Sequence, residues 1–124
     1  MKVSVYTNNA PEAIGPYSQA IVANGMVYTS GQLGMDEKGI FQGTTAKEQA
    51  ERAIKNLIAV LEEAGSSIDN VVKTTVFLDD INDFSAVNEV YGKYFTKPYP
   101  ARSAVEVGNL PKGAKVEIEV IATL

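Results

Sequence analysis

Apolar positions follow two periodicities along this chain, and their alternation lays out its elements. Between Thr45 and Gly65, residues Ala50, Ala53, Ile54, Leu57, Ile58, Leu61 and Ala64 recur every three or four positions, which is the spacing of one helical face. Thr45 and Glu48 stand at capping-box spacing, and Gly65 suits the position just past a helix C-terminus. On the other face, Glu48–Arg52 and Glu51–Lys55 are spaced as i,i+4 ion pairs. A second stripe comprises Phe84, Val87, Val90, Tyr91, Tyr94 and Phe95. Asn82 is its candidate N-cap, and Pro98 and Pro100 prevent its continuation.

The remaining apolar runs read as strands. Gln19–Ala23 and Met26–Ser30 flank Asn24-Gly25, a dipeptide suited to a type I′ hairpin turn. Val71–Leu78 is rich in β-branched residues, and both of its alternating sets are largely apolar, which predicts a strand covered on both faces. In Lys115–Ala122, residues Val116, Ile118, Val120 and Ala122 point one way and Lys115, Glu117, Glu119 and Ile121 the other. Arg102–Val107 and the N-terminal Met1–Tyr6 are further strand candidates. Pro11, Gly15 and Pro16 make Asn8–Tyr17 a loop, and Gly31, Gly34, Gly39 and Gly43 mark a long turn region.

The resulting order, β-β-β-α-β-α-β-β over one domain spanning residues 1–124, predicts an α+β fold: a mixed sheet with two helices packed on one face. Two helices cover only one face. A partly apolar second face is most simply covered by self-association, so the pattern predicts an oligomer.

Composition narrows the chemistry. At 124 residues, 45% hydrophobic and 21% charged, the chain is long enough to bury a core and has the balance of a globular protein. The net charge is −4, and no Lys/Arg cluster interrupts it, so general nucleic-acid binding is disfavoured. No stretch approaches the ~20 apolar residues of a membrane helix, and Met1–Tyr6 lacks the apolar core of a signal peptide; a cytoplasmic location is the default expectation. The absence of His and Cys removes Ser-His-Asp and Cys-His machinery and the usual transition-metal ligands. Chemistry here must use carboxylates, Tyr, Lys, Arg, hydroxyls, backbone groups or water, which suits reactions that are already facile. Gly31-Gln32-Leu33-Gly34 lacks the Gly-Lys-Ser/Thr of a phosphate loop. Asp36-Glu37 and Asp79-Asp80 lack EF-hand spacing and read as solvated turns.

Several residues are candidates for chemistry, each with a plainer alternative. Arg102, at a strand start, suits bidentate capture of a carboxylate, or it is a surface Arg paired across strands. Glu117 is placed to hold or activate a water, or it belongs to an alternating solvated face. Tyr17 and Ser30 can bond a ligand or satisfy a loop, and Asn88 offers a polar group to a cleft.

Ile14-Gly15-Pro16-Tyr17-Ser18-Gln19-Ala20, Thr29-Ser30-Gly31-Gln32 and Val72-Lys73-Thr74-Thr75-Val76-Phe77-Leu78 resemble the reactive intermediate deaminase family, also called RidA or YjgF. So do Pro100–Val107, Leu110-Pro111-Lys112 and Lys115-Val116-Glu117-Ile118-Glu119. Together these segments cover almost the whole chain, in order. The resemblance implies a chorismate-mutase-like fold and a homotrimer with sites in clefts between subunits. It implies 2-iminobutanoate/2-iminopropanoate deaminase activity, in which enamines and imines such as 2-aminoacrylate and 2-aminocrotonate are hydrolysed to 2-keto acids and ammonia without cofactor or metal. By the same resemblance Arg102 binds the substrate carboxylate and Glu117 positions and activates water. Tyr17, Ser30, the Gly31 backbone and Asn88 shape the pocket or bind substrate, and the Ala104 backbone approaches the substrate nitrogen. Many relatives carry Cys where this chain has Ala104, a departure that leaves a backbone contact intact.

Two other readings compete. A non-catalytic protein on the same scaffold would bind small carboxylates without turning them over. An RNA-directed inhibitor, associated with some relatives, is opposed by the acidic balance. The pairing of Arg102 with Glu117 favours the enzyme.

Overall fold

The computed structural model of the protein describes residues 1–124. Its strands are β1 (Val3–Val5), β2 (Ala20–Ala23), β3 (Met26–Thr29), β4 (Gln32–Leu33), β5 (Val71–Leu78), β6 (Ala101–Glu106) and β7 (Val116–Thr123). Its helices are α1 (Ala46–Glu63) and α2 (Phe84–Tyr94). The strands form one mixed sheet in the order β1-β2-β3-β7-β5-β6, with β4 also pairing β7. Only β5 and β6 are parallel, joined through α2 as a crossover. No helix is long and apolar enough to cross a membrane.

Local sequence explains most of these elements. Asn24 and Gly25 both adopt positive φ, 52° and 74°, as a type I′ turn between β2 and β3 requires. The Thr45 side chain accepts from Glu48 N–H while the Glu48 carboxylate takes Thr45 N–H, a complete capping box. At the other end of α1, Gly65 N–H donates to Glu62 O and Ser66 N–H to Leu61 O, with Gly65 at φ 86°. This is a Schellman closure.

Four expectations need correction. The Glu48–Arg52 and Glu51–Lys55 pairs do not form: Glu48 is held by Thr44 and Thr45, Arg52 turns to Asn56 and Glu37, and Glu51 accepts from Tyr94 Oη. Asn82 does not cap α2. Its own N–H is captured by Asp80, and one 3-10 turn over Ile81–Asp83 precedes the helix. Gln32 and Leu33, read as turn, form a short strand against Ile118 and Glu117. Finally, β5 is fully covered on one face only. Thr74, Val76 and Leu78 are buried, whereas Lys73, Thr75 and Phe77 stay partly open, and a register shift between Val71 and Lys73 turns Val72 to solvent.

Both helices pack on one face of the sheet, and the core lies between them. Ile54, Leu57, Leu61, Val90, Ile118 and Val120 are among its members. The opposite face presents Tyr28, Phe77, Val105, Glu117, Glu119 and Ile121, with Tyr28 and Val105 exposed. Buried amides brace the chain around this frame. Asn56 donates to Leu33 O and Met35 O, and Gln49 joins Gly43 O to Lys115 N–H. Gln19 takes Thr7 N–H and donates to Pro11 O. These bonds fix two irregular segments, before β2 and after β4, as walls of a cleft.

Candidate functional site

Strand register assigns each candidate residue to a face. Arg102 lies opposite Thr74, which lies opposite the buried Val120, so the Arg102 side chain is on the helix side. There it meets α2. Its guanidinium carbon stands 4.6 Å from the Tyr91 ring centroid and 5.1 Å from that of Phe84. Nη1 donates to Asn88 Oδ1 at 2.7 Å. Phe84, Asn88 and Tyr91 are spaced i, i+4, i+7 and so share one helical face. Neither of the chain's ion pairs, Lys47–Glu89 and Arg52–Glu37, involves Arg102. Its charge is unneutralised and most of its five N–H donors remain available.

Around this side chain lies an open cleft of ≈ 480 Å³, lined by Asn88, Tyr91, Gly92, Tyr99, Pro100 and Arg102. A shallow neighbour, lined by Ile81, Asn82, Phe84, Ser85 and Ala104, adjoins it across the Phe84 ring. Strand β6 is the edge of the sheet. Val107 N–H donates inward to Leu78 O, and alternation along a parallel strand then turns the Ala104 backbone groups away from β5. Arg102 and outward-facing amide groups thus share one rim.

Glu117 lies opposite Phe77, between the buried Val116 and Ile118, and therefore points to the other face of the sheet. It lines a separate cleft of ≈ 490 Å³ together with Tyr17, Gly31, Leu33, Met35 and Lys112. The break between β3 and β4, at Ser30-Gly31, makes room for it. A Cβ on Gly31 would collide with the Glu117 carboxylate, so a larger residue there would push that carboxylate aside. Burial pushes the Glu117 carboxyl pKa up, and the nearby Glu119 carboxylate adds to the rise. Ser30 holds the break in place, donating from Oγ to Ser18 O at 2.6 Å and from N–H to Gln19 O. Tyr17 is exposed at the mouth.

The seven residues singled out from sequence therefore fall into two groups on opposite faces: Arg102, Asn88 and Ala104 on one, Tyr17, Ser30, Gly31 and Glu117 on the other. Phe84 and Tyr91, which hold the guanidinium, were legible only as an apolar helical stripe. Their spacing to Asn88 was the signal available. No three carboxylates converge in a way that would hold a metal ion.

Relatives share this architecture closely. The solved structure of an Entamoeba histolytica protein superposes with a TM-score of 0.97 at 54% identity, covering 100% of both chains. Escherichia coli TdcF, solved with bound serine, superposes with a TM-score of 0.92 at 41% identity, covering 98% of each chain. The human 2-iminobutanoate/2-iminopropanoate deaminase is 50% identical over 119 residues, 95% of this chain and 87% of its own length. The family described as endoribonuclease L-PSP matches residues 7–124, nearly the full chain and all seven candidate residues. With that span and these relatives, the chain belongs to the endoribonuclease L-PSP family, which is the YjgF/RidA family its motifs resemble.

Proposed function

We propose that the protein is an enamine/imine deaminase acting on 2-aminoacrylate, 2-aminocrotonate and their imines, without cofactor or metal, and that its site forms between copies of the chain in a homotrimer. One observation carries this reading: a guanidinium held by two rings and an amide, with its charge unpaired and its fork open. Such a group suits a small carboxylate. The human relative named as an imine deaminase and the Escherichia coli relative with bound serine support the same ligand class.

The opposed faces explain the need for assembly. One chain cannot bring Arg102 and Glu117 to a single small substrate, because the sheet lies between them. A second copy packed along the β6 edge would bring its Glu117 cleft to the first copy's Arg102 rim and cover the exposed Val105 there.

The chemistry then follows from the groups present. Arg102 binds the carboxylate and orients C2. The enamine tautomerises to the imine, and water adds to the electrophilic C2. Glu117 accepts one water proton and delivers it to nitrogen, giving the carbinolamine; it then relays the carbinolamine hydroxyl proton to the amino group as the C–N bond breaks, releasing ammonia, leaving the keto acid and returning Glu117 to its carboxylate. A carboxylate with a raised pKa is a stronger base than an ordinary one, which suits this shuttle. Ammonia leaves beside the outward-facing Ala104 backbone. Each ~1.4 kcal/mol of barrier reduction gives tenfold, so a modest machine suffices for a facile reaction.

The test is keto-acid formation from 2-aminoacrylate and 2-aminocrotonate generated in situ by a dehydratase. Wild type accelerates it, and Arg102→Ala loses at least about 100-fold in kcat/KM while its melting temperature is unchanged. Equal turnover by both proteins overturns the assignment. Binding of 2-keto acids by a wild type that accelerates nothing would establish instead the non-catalytic carboxylate-binding reading, which the serine-bound relative also favours.

A further inference from the structure

The Arg102 guanidinium does not float over a random surface. Tyr91 beneath it is buried, 6% exposed, and locked on three sides. Its hydroxyl shares a 2.8 Å hydrogen bond with Thr74 Oγ1 in the core. Its ring stacks on Phe95 with centroids 4.3 Å apart. Its outer surface carries Arg102. Phe84, two turns back on the same helical face, contributes a second ring and is only partly buried. An arginine elsewhere on an exposed edge strand would sample many rotamers. Here two π-faces favour the cation and restrict its plane, while Asn88 takes up one donor.

We propose that Tyr91, assisted by Phe84, is a positioning residue of the site: an aromatic cradle that pre-orients the Arg102 guanidinium for a carboxylate, with Thr74 anchoring the cradle in the core. The cradle neutralises nothing. A carboxylate partner would hold Arg102 equally still but would compete with the substrate for its charge, whereas a ring leaves that charge available. This rests on the reading of Arg102 as a carboxylate clamp, and its effect is on binding and orientation rather than on proton transfer.

The ring and the hydroxyl separate in experiment. Tyr91→Phe keeps the ring and breaks the Thr74 bond, so it lowers thermal stability but preserves 2-oxobutanoate affinity to within about twofold. Tyr91→Leu lowers stability and also weakens 2-oxobutanoate binding about tenfold, equivalent to ~1.4 kcal/mol. Phe84→Leu, at a partly buried position, weakens it by about threefold with the fold intact. In turnover the Leu variants raise KM more than they lower kcat. Calorimetric titration of the assembled protein with 2-oxobutanoate reads all three, beside Arg102→Ala.

If Arg102→Ala itself binds 2-oxobutanoate as wild type does, the clamp reading falls and the cradle with it. If Arg102→Ala loses binding while folded Tyr91→Leu and Phe84→Leu keep wild-type affinity, the cradle alone is overturned. Should Tyr91→Leu fail to fold, the Phe84→Leu titration decides. A Tyr91→Phe protein as weak as Tyr91→Leu would assign the effect to the lost Thr74 bond and likewise overturn the role of the ring.

Discussion

Around Arg102 the neighbours are two rings and an amide oxygen, and the side chain is exposed at the sheet edge. Around Glu117 they are a second carboxylate, Glu119, and the Gly31 backbone, so close that an added Cβ would displace the carboxylate, and the side chain is half-buried. The first charge is oriented at little electrostatic cost. The second is held where ionisation is disfavoured. A ligand-binding cation benefits from being fixed yet unpaired. A proton shuttle benefits from a carboxylate whose two protonation states are closer in energy. The fold sets these two environments on the two faces of one sheet.

The sharpest way to break this contrast is Glu117→Gln. It removes the shuttle and lowers kcat by about 100- to 10,000-fold, while 2-oxobutanoate binding, which depends on Arg102, stays within a few-fold. Loss of binding without loss of turnover would reverse the roles. Co-refolding Glu117→Gln with Arg102→Ala tests whether the two faces meet across copies. Each is inactive alone, and random mixing restores about a quarter of wild-type activity, since about that fraction of interfaces pairs an intact Arg102 with an intact Glu117. No recovery in mixed assemblies places both groups in one chain's site and contradicts the register argument.

A smaller effect comes from Gly31→Ala. Its added methyl displaces the Glu117 carboxylate, and kcat drops about tenfold with affinity for the keto acid little changed. Wild-type kcat at Gly31→Ala would show that the close approach has no role in turnover. The smallest effect is thermal. Because folding raises the Glu117 pKa above its ordinary value of 4.5, the folded protein binds more protons than the unfolded chain just above that pH. The associated stability is present below about pH 4 and is lost as pH rises through the raised value. Glu117→Gln therefore melts higher than wild type at about pH 8, and this advantage shrinks toward about pH 4. A constant difference across that range would remove Glu117 as its source.

Much of the architecture was legible because its signals are local. Thr45 with Glu48, Gly65, and Asn24 with Gly25 each specify a backbone geometry within a few residues, and each is found. Strand β4 was hidden because two residues between glycines carry no period. Gln32 becomes a strand residue only through its distant partner Ile118. The ion pairs of α1 failed because the N-cap Thr45 and the more distant partners Glu37 and Tyr94 outcompeted exposed i,i+4 contacts.

The candidate residues could be picked out from the sequence, but the side of the sheet each would take could not in every case. In β7, Val116, Ile118 and Val120 mark the helix face, so the orientation of Glu117 follows from alternation alone. In β6 the apolar parity misleads. Val105 faces the open side and Arg102 the helices, because an edge strand over a short helix leaves space there for a long side chain lying on aromatic rings. That inversion depends on the pairing of Thr74 with Arg102, a register between segments far apart in the chain. Phe84 and Tyr91 were hidden by the same limit, since one ring can both fill a core and carry a cation.

The placement of Arg102 and Glu117 on opposite faces also has a consequence for dosage. If the proposed site forms between copies, a solitary chain holds all the groups the reaction needs and still cannot perform it, so specific activity would depend on how much protein is present. Diluted below the dissociation constant of that assembly, the protein would lose turnover per milligram and would recover it on concentration. In a cell, output would rise more steeply than expression at low copy number and in proportion to it once assembly is complete.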